Sequence, residues 1–351
     1  MIPTRKVISN IIGLTLCILL VAAIAISIFS GNRKGPVTLT YAEVNPLENT
    51  ISGEMALAFK EKTEELSGGD VKIDIQAGGV LGSDDQVLDN MLGGGNMTDF
   101  CRISALALTQ YGCDKASLLG VPYTFVSEDH FWRFADSELA QEILMEPQEK
   151  GLPLHGLCYG EEGFRNFFFK KQVSGLEDLK GKKIRVTSDP VMTGMVTDLG
   201  ASATTVPFTE LYSALSTGVV DGAEQPTANY RSNAFQEVAP CLLLDGHMLG
   251  AIQIVVSDYS WNRLNDQQKE WIMEAARYAS QVCRERVREI EDDTFEKLRE
   301  DGTTIVEVED KGPWIEACKE TIEAHTADQA ELYQKIVDMQ PAASETAETV
   351  Q

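Results

Sequence analysis

The stretch 181-GKKIRVTSDPVMTGMVTDLGASATTVPFTELYSALSTGVVDGAEQP-226 sets one arginine, Arg185, near the end of a short apolar strand, 182-KKIRV-186. A helix follows over Pro190 to Leu199, and a second over Thr209 to Thr217. Gly218 ends that helix before strand-like 219-VVDGAE-224, as a glycine does at a helix C-terminus. This order is an α/β unit, and in such folds side chains at the C-terminal ends of strands face the ligand crevice. A second arginine, Arg165, sits upstream among rings in 163-GFRNFFF-169.

Working outward, 37-VTLTYAEV-44 and 71-VKIDIQAG-78 alternate apolar and polar residues as half-buried strands do. Between them, 52-SGEMALAFKEKTEELSGG-69 carries Met55, Ala56, Phe59 and Leu66 at helical spacing and stops at a glycine pair. A helix near 83–95 and a short strand over Thr98 to Ile103 repeat the unit. The strand 152-LPLHGLCY-159 then crosses into the second α/β set. After that set come the strand 249-LGAIQIVVS-257, a long helix over 267–300 capped by Asn265 or Asp266, and the strand 303-TTIVEV-308. A last helix is expected from Gly312 to Met339, then a polar, disordered tail over 341–351. The expected body, 35–340, is thus two α/β lobes, about 35–155 and 156–250, connected more than once and sharing a cleft. A long helix over about 265–300 is common to both.

The chain has 351 residues and a net charge of −24. Such a field excludes nucleic acid and anionic lipid surfaces as partners, so any anion site must rest on local arginines and backbone amides. Residues 1–34 differ from the rest: Arg5 and Lys6 precede the uncharged run 11-IIGLTLCILLVAAIAISIF-29. A basic start and an apolar run describe an export signal, and the run is also long enough for a membrane-anchoring helix. Both readings put the body outside the cytoplasm. Cys17 lacks the small residues of a lipidation site, since Leu16 precedes it. The other cysteines show no CxxC or His-paired metal spacing and read equally as disulfide partners or as small buried hydrophobes. Four histidines and no G-x-S-x-G, H-E-x-x-H or P-loop string leave no catalytic constellation, metal site or cofactor motif. An enzyme is not expected.

A guanidinium fork matches a carboxylate with two parallel hydrogen bonds, each contributing on the order of 1.5–3 kcal/mol. Arg185 is therefore a candidate carboxylate clamp. The plain structural reading is that Glu177 or Asp178 neutralises it. Arg165 either stacks on a ring in a packed hinge or projects into an aromatic-lined pocket.

The order of blocks adds to this. The segments 178-DLKGKKIRV-186, 199-LGA-201 and 207-PFTELYSALSTGVVDGAEQP-226 resemble the solute-binding proteins of tripartite ATP-independent periplasmic (TRAP) transporters, of the dicarboxylate- and sialate-binding type. The flanks 76-QAGGVLGSDDQVLDNMLGGGNM-97 and 247-HMLGAIQIVVSDYSWNRLNDQQKEWI-272 resemble it too, so the likeness covers about 37–336. It implies a two-lobed, class II-like periplasmic-binding-protein fold that closes on its ligand, with a helix spanning both lobes. Arg185 matches the family's carboxylate clamp, and Arg165 matches a second arginine for a further ligand oxygen. Gln225 stands where members commonly carry an asparagine. Ser104 falls near a glutamate of sialate binders, which speaks against sialate. Phe208, Asn229 and Tyr230 are further candidates because they flank the clamp block. The implied partners are a small organic acid and the integral membrane subunits of a TRAP transporter. A ligand-sensing role beside a membrane receptor kinase is the alternative.

Overall fold

The structure, a computed structural model, describes residues 36–341. The N-terminal signal or anchor and all but the first residue of the tail lie outside the described residues. Two long strands organise the rest: β4 (Leu154–Phe169) and β8 (Cys241–Ser257) pair antiparallel from Leu154↔Ser257 to Phe169↔Cys241. The ends of this ribbon carry different neighbours. β3 (Phe100–Ser104) pairs with the C-terminal half of β8, and β1 (Val37–Ala42) and β2 (Val71–Gln76) extend the sheet beyond it. β7 (Gly222–Pro226) pairs with the C-terminal half of β4, followed by β5 (Lys183–Val186) and β6 (Ser202–Thr205). β9 (Thr304–Glu307) runs parallel to the start of β8. The result is one nine-stranded sheet in two halves joined by the ribbon.

The ribbon is irregular in its middle. Register shifts fall between Glu161 and Phe164 and between Arg165 and Phe167. Gly163 and Gly246 hold φ values of +77° and +55° there, a left-handed conformation open to glycine at little steric penalty. A side chain at Gly163 would also collide with the Glu291 carboxylate. Bulges bend and twist a strand, and Glu162 and Arg165 of this irregular stretch line the cleft.

Each half keeps its own core. On the first, Val87, Leu88 and Met91 of the helix Asp84–Leu92 pack on Cys101, Ile103 and Val255. On the second, the three consecutive phenylalanines divide by the period of two: Phe167 and Phe169 join Ile184, Val186, Met192, Trp314 and Cys318 on one face. Phe168 joins Leu211, Leu215, Tyr230 and Phe235 on the other. The long helix Asp266–Glu300 starts at a capping box on Asn265 and Gln268. Its apolar stripe from Ile272 to Leu298 is buried. It packs on the helix Ile51–Leu66 beside the first half, on β4, and on the helix Thr227–Ser232 beside the second, so it does span both halves.

The expectation of one C-terminal helix fails. The single helix from Gly312 to Met339 is three shorter ones, Gly312–Ala317, Lys319–Thr326 and Ala330–Val337. A straight rod would leave the sheet tangentially. Breaking at Cys318 lets Trp314 and Cys318 both sink into the second core, and the later break lets Ile336 be buried. The six described cysteines are all free and buried, which settles their reading as small hydrophobes.

Candidate functional site

The cleft holds about 590 Å³ of empty space when its open mouth is counted. Its second-half wall is built from β5, β7 and the turns beyond them. Arg185 lies on β5 between Ile184 and Val186, both fully buried, so the strand's alternation turns it to the opposite face. Its own exposure is 2%. One edge of the guanidinium is fixed, because Nε donates to the Val206 carbonyl at 2.8 Å. Nη1 has no partner, and no carboxylate pairs with it; Glu177 and Asp178 do not reach it. The Phe208 ring lies 5.9 Å from its Cζ. Burial, with Arg165 adding to it against the pull of Glu224, lowers the Arg185 pKa to about 10. It therefore remains a cation at neutral pH, short of compensating charge.

Arg165 differs. Neither stacked nor free, it is gripped by Glu224 through Nε–Oε2 and through Nη2–Oε1 at 2.9 Å. The two residues share a sheet face, since β4 and β7 pair Arg165 with Pro226 and Phe167 with Glu224. Behind them, His247 Nε2 stands 3.5 Å from Glu224 Oε2 and Nδ1 lies 2.8 Å from Asp245 Oδ2. Asp245 in turn accepts from the Phe167 amide. The result is an alternating row of buried charges: Asp245, His247, Glu224, Arg165. Burial alone would raise the Glu224 pKa, but Arg165 and His247 outweigh it and bring it down to about 2. Burial alone would lower the His247 pKa, but Asp245 and Glu224 outweigh it and lift it to about 9.

The first-half wall holds residues that the sequence reading missed. Arg102, on β3 and buried, is gripped by both oxygens of Glu43 and lies 3.7 Å from Asp84. Asp84 also accepts from the Ser104 amide. Glu162, at the bulge, accepts from the Asn45 side chain, and Asn45 accepts from Asn233 at 3.2 Å. That last bond ties the halves together across the cleft. Arg102 carried the same signal as Arg185, a lone cation inside a buried strand. Asp84 and Asp85 open a helix after a Gly-Ser pair, a visible cue of another kind.

Of the residues singled out from sequence, Ser104, Arg165, Arg185, Phe208, Gln225 and Asn229 all line the cleft. Tyr230 does not. It is fully buried in the second core, and its hydroxyl donates to the Ala239 carbonyl at 2.8 Å. Successive helix residues point about 100° apart, so Asn229 facing the cleft turns Tyr230 away. Asn229 Oδ1 is buried there without a donor. Among the described residues no cluster of His, Cys, Asp and Glu could hold a metal ion.

The charge row predicts a pH dependence of stability. Glu224's contribution is complete above about pH 4.5 and is lost as pH falls through about 2. His247's is complete below about pH 6.5 and is lost as pH rises through about 9. Burial also lifts Glu161 and Glu291 to about 8, with the nearby Glu128 charge adding to it. Their ionisation therefore destabilises the fold progressively from about pH 4.5 to 8. We expect the melting temperature to be highest near pH 4.5 and to fall steadily toward pH 9 in a differential scanning series. A flat profile over that range would contradict the assigned charges.

A sheet in two halves beside a cleft lined by three arginines and by apolar side chains is consistent with a binding protein for small solutes. The family model for bacterial extracellular solute-binding protein, family 7 (DctP), matches residues 41–329, and the chain belongs to that family. A C4-dicarboxylate-binding periplasmic protein DctP from Shewanella loihica is 27% identical over 276 residues, covering 78% of this chain and 80% of that protein. A solute-binding protein from Roseobacter denitrificans is 28% identical over 275 residues, covering 78% and 82%. Among solved structures, a TRAP periplasmic solute-binding protein from Pseudomonas putida F1 with bound D-glucuronate superposes with a TM-score of 0.82 at 29% identity, covering 87% of this chain and 98% of that one. The protein is thus an extracytoplasmic solute-binding protein of the TRAP class and not an enzyme. Among the described residues no helix is long and apolar enough to cross a membrane.

Proposed function

We propose that this protein captures a small organic acid in the cleft, grips its carboxylate with Arg185, and delivers it to the integral membrane subunits of a TRAP transporter. One observation carries the clamp: Arg185 is buried and charged, and its Nη1 has no partner. A ligand carboxylate would take up that unused hydrogen-bonding capacity and supply the missing negative charge. The two halves act as lobes, and the hinge is the irregular middle of the ribbon around Gly163 and Gly246. The Asn45–Asn233 bond then belongs to the closed form. The N-terminal segment 1–34 exports the body or tethers it to the membrane.

A thermal-shift screen of carboxylic acids tests this. An acid at about 100 times its Kd stabilises by about 2.7 kcal/mol, a rise of several degrees in melting temperature. The primary amide of the same acid is expected to give no shift, because it leaves the buried guanidinium unpaired. Equal shifts from acid and amide would defeat the clamp.

A further inference from the structure

Three arginines line the cleft, and only one has charge to spare. Arg165 is neutralised by Glu224. Arg102 faces the two oxygens of Glu43, with Asp84 and Glu162 acting on it as well. The first-half wall is thus over-supplied with negative charge, whereas Arg185 on the second-half wall is under-supplied. A ligand with one carboxylate satisfies this asymmetry. A second carboxylate would meet acidic side chains and no uncommitted cation, and like charges brought together across an interface are strongly unfavourable.

What the first-half wall and its surroundings offer is acceptors. Asp84, Asp85 and Glu162 line the cleft, and ionised carboxylates only accept hydrogen bonds. Asn229 Oδ1, buried in the same cleft and unpartnered, is an independent sign that a donor is missing. Hydroxyl groups are donors without charge. Phe208, Leu106 and Met192 supply apolar surface for the carbon skeleton between the two ends.

We propose that Asn45, Asp84, Asp85, Glu162 and Asn229 read the hydroxyls of the solute, which is a polyhydroxylated monocarboxylate, an aldonate or uronate, and that the acidic wall rejects C4-dicarboxylates. This rests on the clamp role of Arg185. Calorimetric titration of the purified protein with D-gluconate, D-glucuronate, succinate and hexanoate tests it. At least one sugar acid is expected to bind about 100-fold or more tighter than succinate and hexanoate. Asp85→Asn, at a half-exposed position, and the size-matched Glu162→Gln should each weaken sugar-acid binding about 10-fold. Both should also narrow the gap to succinate, because each removes a charge that repels the second carboxylate. Succinate binding as tightly as the sugar acids overturns the inference and leaves the clamp standing. Folded variants with unchanged affinities also overturn it. If none of the four acids binds, clamp and hydroxyl reading fall together.

Discussion

Arg185→Met is expected to abolish ligand binding while leaving the empty protein at least as stable as before. Two charge-assisted hydrogen bonds to a carboxylate in a dry site contribute about 3–6 kcal/mol, so affinity should drop by about 100-fold or more. The stability half of the expectation is the less usual one. Arg185 is 2% exposed, paired with a single backbone carbonyl and no carboxylate, and its pKa is pulled down to about 10 by burial. Replacing an uncompensated buried cation by an apolar side chain of similar length removes a desolvation penalty. Methionine also fills much of the volume that alanine would leave as a cavity. Calorimetry and a melting curve of the unliganded variant decide both parts. Near-native affinity would dismiss the site, and a large loss of stability would mean that Arg185 is structural.

Glu224→Gln should do the reverse. The Glu224 carboxylate is fully buried between Arg165 and His247, and the amide that replaces it leaves two cations facing each other with only Asp245 to balance them. Removing one partner of a buried pair costs about 3–5 kcal/mol, a drop on the order of 10 °C in melting temperature. The double variant Glu224→Gln, His247→Gln should recover part of that loss, since it removes one orphaned charge. A double-mutant cycle measures the coupling. A single-variant penalty below about 1 kcal/mol, or strictly additive losses, would contradict the row of alternating charges. On the proposed clamp the two arginines carry opposite assignments: Arg165, paired with Glu224, belongs to the framework, and Arg185, with Nη1 unpartnered, is held for the ligand.

Local pattern carried much of this. The alternation in 71-VKIDIQAG-78, the caps around the long helix and the Gly218 stop are short-range signals, and the elements appear where those signals place them. The ribbon was harder to see. The crossing strand expected from sequence ends at residue 159, yet β4 continues through 160-GEEG-163 to Phe169. The ladder survives by bulging, and bulges are set by the partner strand and not by the strand's own pattern. Gly246 hid the first half of β8 in the same way. For the site, Arg185 and Gln225 sit in a recognisable block, whereas Arg102 and Glu43 meet across 59 residues. Pairing at that range is decided by the sheet order. Tyr230 stands beside the clamp block in sequence, but one step along a helix from Asn229 buries it in the core.

The most direct test of the clamp is a crystal structure of the protein with the acid that raises its melting temperature most. The carboxylate should lie within hydrogen-bond distance of Arg185 Nη1, with the acidic wall of Asp84, Asp85 and Glu162 at the ligand's other end. A carboxylate seated beside Arg102 instead, with Arg185 still unpaired, would contradict the account.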